Sequence, residues 1–286
     1  MLKRIVTIQD ISCFGKCSLT VALPVISAMG VETAVIPTAV LSTHTTGFTG
    51  YTFRDLTADI PQIAAHWKNM GLTFDGIYTG YLGSREQVQI VSDFFDAFRG
   101  SETKIVVDPV MGDAGKLYAG FTPDFAGEMR KLCRKADVIV PNLTEVSLLL
   151  DIPYPEQYTE AQIRSYLKQL TQLGCPMAVI TGVRYNKTQH GAAAYDSRTD
   201  SYYTVFREHV PEQMHGTGDI FSSVLSGALV RGADLEQALS IAVNFTADTI
   251  AVTVPDLHLY PEGQGPWYGV QFESCIGKLT EYCKSL

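Results

Sequence analysis

Short apolar runs alternate with amphipathic stretches along most of this 286-residue chain. Runs such as residues 5–8 and 104–107 are short and rich in β-branched side chains, which is typical of buried strands. Longer segments, such as residues 85–98, carry apolar side chains at helical spacing, which indicates helices that cover a sheet. This alternation predicts an α/β fold, with a mostly parallel central sheet, helices on both faces and a short antiparallel edge.

The pattern assigns strands and helices to most of the chain. The predicted strands are residues 5–8, 31–41, 76–79, 104–107, 138–140 and 177–180. The predicted helices are residues 18–29, 60–70, 85–98, 122–134, 159–173 and 235–252, with another after residue 219. Residues 190–207 predict two antiparallel runs around a polar turn. The sequence contains no repeat or linker and is 46% hydrophobic, so we expect residues 1–286 to form a single domain.

Polar motifs follow the apolar strands directly. They are Asp10, Thr79-Gly80-Tyr81, Asp108, Asn142 with Glu145, and Thr181-Gly182. In parallel sheets, ligands bind beyond the carboxyl ends of the strands. We therefore expect these motifs to meet at one edge of the sheet and to form a single site.

A glycine-rich loop, Gly216-Thr217-Gly218-Asp219, leads without a break into a helical pattern. Free amides at a helix start and the positive end of the helix dipole make an anion site. A carboxylate repels anions, so Asp219 there is better explained as a base that deprotonates a hydroxyl attacking phosphorus. The alternative is that Thr217 or Asp219 merely caps the helix after a glycine turn. The motifs at the other strand ends favour the catalytic interpretation.

Three carboxylates, Asp108, Asp113 and Glu145, are expected near this anion site, where their charges need compensation. Magnesium that bridges triphosphate oxygens supplies it, mostly through water. Asn142 adds an amide and Thr181 a hydroxyl. The alternatives are an Asp-Pro turn at Asp108 and a first-turn helix carboxylate at Glu145. The chain has no G-x-x-x-x-G-K-[ST] motif, which excludes P-loop kinases and GTPases.

Composition narrows the class further. The net charge is −8 and no Lys/Arg run occurs, so a nucleic-acid partner is not expected. No signal peptide is apparent and no apolar stretch approaches the length of a membrane span, so we expect no membrane association. Six cysteines without a C-x-x-C pair indicate reduced thiols in the cytoplasm. Residues 42–54 are rich in hydroxyls, glycine and aromatics, which fits either a surface loop or a flap over a small aromatic ligand.

In this order, the motifs resemble the ribokinase superfamily, and within it the pyridoxal kinases. The resemblance runs from the first strand to the helix after Asp219. Its specific features are Ile8-Gln9 at the end of the first strand, Ser42-x-His44-Thr45 and Thr79-Gly80-Tyr81. It implies a ribokinase-like kinase that uses ATP and Mg²⁺, with K⁺ as a further candidate ion. The implied reaction is phosphorylation of the 5′-hydroxymethyl group of pyridoxal, pyridoxamine or pyridoxine. A homodimer is also implied.

The resemblance assigns roles to residues of this chain. Asp219 matches the catalytic base, and the amides of Gly216, Thr217 and Gly218 match the anion hole for the transferring phosphoryl group. Nucleotide and metal positions are matched by Asp113, Asn142, Glu145, Thr181 and Gly182, with Asp108 beside Glu145 at the metal. The substrate positions are matched by Asp10, Ser12, Thr45 and Tyr81. Residues 114–121 match a lid over ATP.

One departure from the family affects the expected substrate. The family usually carries Ser-His where this chain has Asp10-Ile11, and a carboxylate there favours a protonated ring nitrogen or an amino substituent. Pyridoxamine and an aminopyrimidine are therefore alternatives, the latter for a hydroxymethylpyrimidine kinase of thiamine synthesis. A third hypothesis is a non-catalytic nucleotide- or B6-binding protein. Asp219 argues against it, because binding alone does not require a base.

Overall fold

In the computed structural model, nine strands of the described residues form one sheet in the order β11-β10-β9-β8-β5-β4-β1-β2-β3. The described residues are 2–118, 120–212, 214–259 and 267–286, without the side chains of His258 and Ser285. The strands are β1 (Arg4–Ser12), β2 (Glu32–Leu41), β3 (Phe53–Asp55), β4 (Gly76–Thr79), β5 (Lys104–Val107), β8 (Val138–Ile139), β9 (Met177–Val183), β10 (Gln189–Asp196) and β11 (Ser201–Glu208). β6 (Gly112–Asp113) and β7 (Lys116–Leu117) form a separate hairpin.

Helices cover both faces of this sheet. They are α1 (Leu19–Ala28), α2 (Ile60–Asn69), α3 (Arg85–Phe98), α4 (Phe125–Cys133), α5 (Leu143–Leu150), α6 (Glu160–Gln172), α7 (Thr217–Arg231), α8 (Leu235–Leu259) and α9 (Gly277–Tyr282). One hydrophobic core contains α1, α7 and α8, and a second contains α3 to α6. The sheet strands contribute to both cores because successive side chains point to opposite faces. The α/β prediction is therefore confirmed.

Strand order places a ligand-binding crevice between β1 and β4. The chain passes from β1 through α1 to β2 on one side, and then builds β4, β5, β8 and β9 outward on the other side. These six strands are parallel to one another, whereas β3, β10 and β11 form antiparallel pairs at the two edges of the sheet. Crevices of this kind form where the strand order reverses. Asp10 and Tyr81, from the ends of β1 and β4, therefore lie at the switch point.

Two strands are longer than the sequence pattern predicts. β1 continues past Ile8 to Ser12, with a register shift between Gln9 and Ile11 where it pairs with β2. β9 continues past Ile180 and includes Thr181 and Gly182. The prediction that these polar residues follow their strands is wrong, because backbone pairing to β2 and β10 holds the polar segment extended.

Helix α8 contradicts the expectation that no stretch approaches the length of a membrane span. Its residues Leu235–Leu257 are long and apolar enough to cross a membrane, judged by length and composition alone. Half of the most apolar window is buried inside the structure. Ala238, Leu239, Ala242 and Phe245 belong to the core between α8 and the sheet. A helix in a protein core passes the same test, because the face that it buries against the rest of the protein is also apolar.

Candidate active site

The glycine-rich loop forms the start of α7. Gly216 is the N-terminal flanking residue, with φ 80°, and no side chain caps the helix. A Cβ at Gly216 would lie 2.1 Å from the carbonyl oxygen of Lys16, so both the conformation and the packing require glycine. Neither Thr217 nor Asp219 caps the helix through its side chain, so the capping alternative is wrong. The Thr217 hydroxyl instead donates to the Met214 carbonyl at 3.4 Å.

The space in front of this helix start is open. A Cβ built on Gly218 meets no heavy atom within 4 Å, and Gly218 is exposed. The first amides of a helix have no partner within the helix. Gly216 and Gly218 therefore leave a bare, positively polarised surface that can accept a phosphoryl group.

Asp219 is partly buried at the edge of this surface. Loss of hydration raises its pKa to about 7, the Ser18 amide opposes this rise, and the charge of Asp10 adds to it. A carboxyl group with a pKa near neutrality suits general-base catalysis, because a substantial fraction is ionised near neutral pH and still accepts a proton readily. The structure thus places Asp219 where the sequence predicts a base, beside free helix amides.

Asp10 lies buried close to Asp219. Its two carboxylate oxygens accept hydrogen bonds from the hydroxyls of Ser18, at 2.5 Å, and Ser12, at 3.2 Å. Burial raises the pKa of Asp10, and the two hydroxyls oppose that rise. The Cys17 thiol faces the charges of both carboxylates, and burial raises its pKa strongly. Ser12 therefore supports Asp10 in this structure.

Asp108 and Glu145 are also buried, without a cation partner in the described residues. Burial raises the pKa of Asp108 to about 8, although the Ser222 hydroxyl donates to it at 2.7 Å. Burial raises the pKa of Glu145 too, and the charge of Asp108 adds to the effect. Two adjacent buried carboxylates fit the ligand chemistry of a hard divalent cation.

Glu145 also has a structural role, as the alternative interpretation holds. Its two oxygens accept hydrogen bonds from the amides of Met111, at 3.1 Å, and Asn142, at 2.9 Å. Asn142 in turn accepts from the amides of Thr144 and Glu145, which completes a capping box on α5. Both residues thus fix the start of α5 at this edge of the sheet.

The predicted lid is a hairpin rather than a plain loop. β6 and β7 are joined by Ala114 and Gly115, both with positive φ, as in a two-residue hairpin turn. The Asn142 side chain donates to the Gly112 carbonyl at 2.8 Å, and the Gly115 amide donates to the Thr144 hydroxyl at 2.9 Å. Asp113 is exposed on β6, and Ala119 lies outside the described residues. The hairpin is thereby tied to the start of α5.

Tyr118 falls within the predicted lid, residues 114–121, but the sequence predicts no role for its side chain. Its pKa is raised strongly, first by burial of the hydroxyl and then by the charges of Glu145, Asp113, Asp108 and Asp219. The charges of this cluster therefore reach the phenol of a residue that stays 41% exposed. The sequence offers no distinct signal for it, because a lone tyrosine after a hairpin is common.

The segment 42–54 carries aromatic rings that pack against residues far along the chain. Nε2 of His44 donates to the Tyr268 carbonyl at 3.0 Å, and the Phe48 ring centroid lies 4.6 Å from that of Trp267. Thr45 is exposed beside them. Tyr81 is half-buried, and burial followed by the charge of Asp10 raises its pKa. These rings form an aromatic wall near Asp10, which fits a small planar ligand.

Thr181 and Gly182 belong to the last part of β9. Gly182 lines a cavity of about 450 Å³ together with Arg184, His190 and His209. Arg184 lies 2.9 Å from Nε2 of His209. Among the described residues, no group of three or more His, Cys, Asp and Glu side chains is arranged to hold a metal ion. A cation would therefore need oxygen ligands from a bound molecule or water as well as Asp108 and Glu145.

Fold and site together define the class of protein: a ribokinase-like small-molecule kinase, with a carboxyl group beside a helix start at a sheet switch point. A model of the phosphomethylpyrimidine kinase family matches residues 19–266. Because this match spans most of the chain, the protein belongs to the phosphomethylpyrimidine kinase family.

Similar proteins agree with this assignment. The crystal structure of pyridoxal kinase from Lactobacillus plantarum is 33% identical with a TM-score of 0.88, and the match covers 98% of each chain. A Bacteroides thetaiotaomicron protein provisionally described as a phosphomethylpyrimidine kinase, in a crystal form with pyridoxal, is 40% identical with a TM-score of 0.90, over 98% of this chain and 96% of that one. A pyridoxine/pyridoxal/pyridoxamine kinase from Bordetella avium is 27% identical over 270 residues, covering 88% of this chain and 86% of the relative. The predicted resemblance to ribokinase-like pyridoxal kinases is confirmed.

Proposed function

We propose that this protein transfers the γ-phosphoryl group of ATP to the 5′-hydroxymethyl group of a B6 vitamer: pyridoxal, pyridoxamine or pyridoxine. Asp219 takes the proton from the hydroxyl, and the amides of residues 216–219 bind the transferring phosphoryl group. The observation that carries the proposal is the carboxyl group with a pKa of about 7 beside bare helix amides. A binding protein gains nothing from a carboxylate that repels the anion it holds.

The acceptor is proposed to bind between the ends of β1 and β4. Asp10 faces its ring or amino substituent, and Thr45 and Tyr81 contact its faces. The aromatic wall around His44 and Phe48 supports a planar heterocycle. Names of similar proteins, including one in a crystal form with pyridoxal, support a B6 vitamer.

The nucleotide is proposed to bind from the hairpin and the ends of β8 and β9. Asp113, Asn142, Glu145, Thr181 and Gly182 are its proposed contacts. Asp108 and Glu145 would hold Mg²⁺, which neutralises charge on the triphosphate during transfer. Their burial near each other supports this role, because a bound cation would favour the ionised form of both groups.

A hydroxymethylpyrimidine is the second candidate acceptor. The carboxylate of Asp10 favours it, because an amino group on a pyrimidine ring can donate to both Asp10 oxygens. The family match supports it as well. K⁺ dependence, a homodimer, the cytoplasmic location and a single domain over residues 1–286 stay predictions.

The test is ATP consumption with Mg²⁺ and each of four acceptors: pyridoxal, pyridoxamine, pyridoxine and 4-amino-5-hydroxymethyl-2-methylpyrimidine. Turnover of one or more B6 vitamers is expected, with mass spectrometry showing one added phosphoryl group. Turnover of the pyrimidine alone would move the protein to thiamine synthesis with the same mechanism. No turnover of any acceptor, while ATP still binds, would contradict the proposal and favour a non-catalytic protein.

A further inference from the structure

Ser18 adopts a backbone conformation that is rare for a residue with a side chain. It lies just before α1 with φ 52° and ψ −133°. Such a conformation persists only where the surrounding structure holds it, and it is found most often at functional sites. Serine is also a preferred helix cap, yet the Ser18 hydroxyl makes no hydrogen bond to the amides of α1. Its unusual conformation therefore serves something other than the helix.

The hydroxyl of Ser18 is used on Asp10 instead. It donates to Oδ1 of Asp10 at 2.5 Å, a length typical of a hydroxyl that donates to an ionised carboxylate. Ser12 occupies the other oxygen, at a longer 3.2 Å. Asp10 is therefore fixed at both oxygens, and more closely by Ser18.

The backbone amide of Ser18 faces the second carboxylate. The start of α7 packs against the Lys16 carbonyl, two residues before Ser18, and this brings Asp219 close to the amide. The amide lowers the pKa of Asp219 and so opposes the effect of burial on that group. One residue thus contacts both carboxylates, one through its side chain and the other through its main chain. Both contacts are made from this one positive-φ conformation.

On this geometry, and given the proposed function, we propose that Ser18 is a positioning residue that holds the acceptor-side carboxylate Asp10 and the base Asp219 as one rigid unit. The hydroxyl contact to Asp10 holds the residue in its left-handed conformation. The conformation in turn keeps the amide on Asp219, with its carboxylate aimed at the acceptor hydroxyl.

Two substitutions at one position separate the side-chain and main-chain contributions. Ser18→Gly removes the hydroxyl but adopts positive φ freely, so the amide stays on Asp219. Ser18→Ala removes the hydroxyl and keeps a Cβ that disfavours positive φ, so the backbone relaxes and the amide leaves Asp219. Ser12→Ala is the matched control, because it removes the other hydroxyl on Asp10 without touching the amide.

Several titratable groups face this pair and contribute to any pH profile. The groups that interact electrostatically with Asp219 are Asp10 from β1, Cys17 before α1, Tyr78 from β4, Asp108 after β5 and Tyr118 after β7. His44 and Tyr81 interact in the same way with Asp10. All of them are present in each of the three variants. Differences between the variants therefore report the Ser18 contacts.

The experiment measures kcat and KM of the acceptor from pH 5 to 9, with saturating ATP and Mg²⁺. We expect Ser18→Gly and Ser12→Ala to raise KM severalfold with little change in kcat. Ser18→Ala should also lower kcat about tenfold or more and move its acidic limb to higher pH, because Asp219 loses the amide that favours its ionised form. Equal kcat profiles for Ser18→Ala and Ser18→Gly would overturn the proposal.

Thermal unfolding is measured without substrate, so it tests the role of Ser18 independently of catalysis. If the wild-type protein phosphorylates none of the acceptors, the proposed function is refuted, but the melting temperatures still test the role of Ser18. Melting temperatures of the variants are compared at pH 5 and pH 8. We expect Ser18→Ala to lose more stability at pH 8, relative to pH 5, than Ser18→Gly loses. An equal pH-dependent loss in the two variants would contradict a main-chain role for Ser18.

Discussion

The hydroxyl of Ser222 donates to Oδ2 of Asp108 at 2.7 Å, and both residues are buried. This contact joins α7, the helix that carries Asp219, to the end of β5. Asp108 has a pKa raised to about 8, and the Ser222 hydroxyl is the group that most opposes the rise. The proposed metal carboxylate and the proposed base therefore sit on elements that are linked directly.

Ser222→Ala should weaken Mg²⁺ use and stability together. Loss of the hydroxyl leaves a buried carboxylate short of a partner, which costs about 1–3 kcal/mol of unfolding free energy. It also raises the pKa of Asp108 further, so more Mg²⁺ is needed for half-maximal rate. Ser226→Ala is the control, because its hydroxyl bonds only to the Ser222 carbonyl one turn earlier. An unchanged Mg²⁺ requirement in Ser222→Ala would remove Asp108 from the metal site.

Asn142→Ala should weaken ATP binding beyond its effect on stability. The substitution removes the cap of α5, worth about 1 kcal/mol, and releases the hairpin at Gly112. Thr159→Ala offers a matched control, since Thr159 and Gln162 form the same capping box on α6. Both variants should lose similar stability in urea, and only Asn142→Ala should raise the KM for ATP. A similar KM in both variants would contradict a nucleotide role for Asn142.

The two glycines of the anion loop should respond very differently to alanine. Gly216→Ala places a residue with a Cβ at positive φ and brings that Cβ against the Lys16 carbonyl. We therefore expect the free energy of unfolding to fall by about 1–3 kcal/mol, and most of the activity to be lost. Gly218→Ala meets open space and should fold normally. Its methyl group projects into the phosphoryl space, so its effect should appear in kinetics. Equal melting temperatures for the two variants would show that the Gly216 conformation is dispensable.

Stability should fall as pH rises from about 5 to 8. Asp219 and Asp108 have folded-state pKa values of about 7 and 8, and those of Asp10 and Glu145 are also raised. A raised folded-state pKa favours the protonated group in the folded protein, so this contribution is complete below about pH 4 and is lost as pH rises through the folded values. The melting temperature should drop by several degrees over this range.

Mg²⁺ with ATP should reverse that drop, because a bound cation stabilises the ionised carboxylates. The gain in melting temperature on adding both ligands should be larger at pH 8 than at pH 5. Unfolding followed by circular dichroism at each pH measures it. A melting temperature that is flat or rises from pH 5 to 8 without ligands would contradict the carboxylate account.

The sequence predicts the site where local pattern determines it. Asp108 follows an apolar strand and Asp219 follows two glycines, so each is found from its immediate neighbours. The helix predicted over residues 159–173 is present as α6, and Thr159 caps it. The strand ends were less predictable, because backbone pairing with β2 and β10 extends β1 and β9 over polar residues.

Contacts between distant segments could not be read from the sequence. In the sequence Ser18 has the features of an ordinary helix cap. In the fold, its hydroxyl donates to Asp10 and not to the amides of α1. Ser222 looks like a small residue that permits helix packing, and its link to Asp108 spans more than a hundred residues. The contact between Phe48 and Trp267 likewise depends on how the chain end folds back. Such pairs are set by tertiary structure, not by local propensity.

The most direct test of the central claim is a single-turnover measurement of the phosphorylated vitamer formed by wild-type protein and by Asp219→Asn, with Mg²⁺ and ATP in both. Asparagine keeps the size of the side chain and cannot accept the proton. We predict that ATP binds both proteins and that the substitution slows product formation about 10²- to 10⁴-fold. Product formation at the wild-type rate by Asp219→Asn would contradict the assignment of Asp219 as the base.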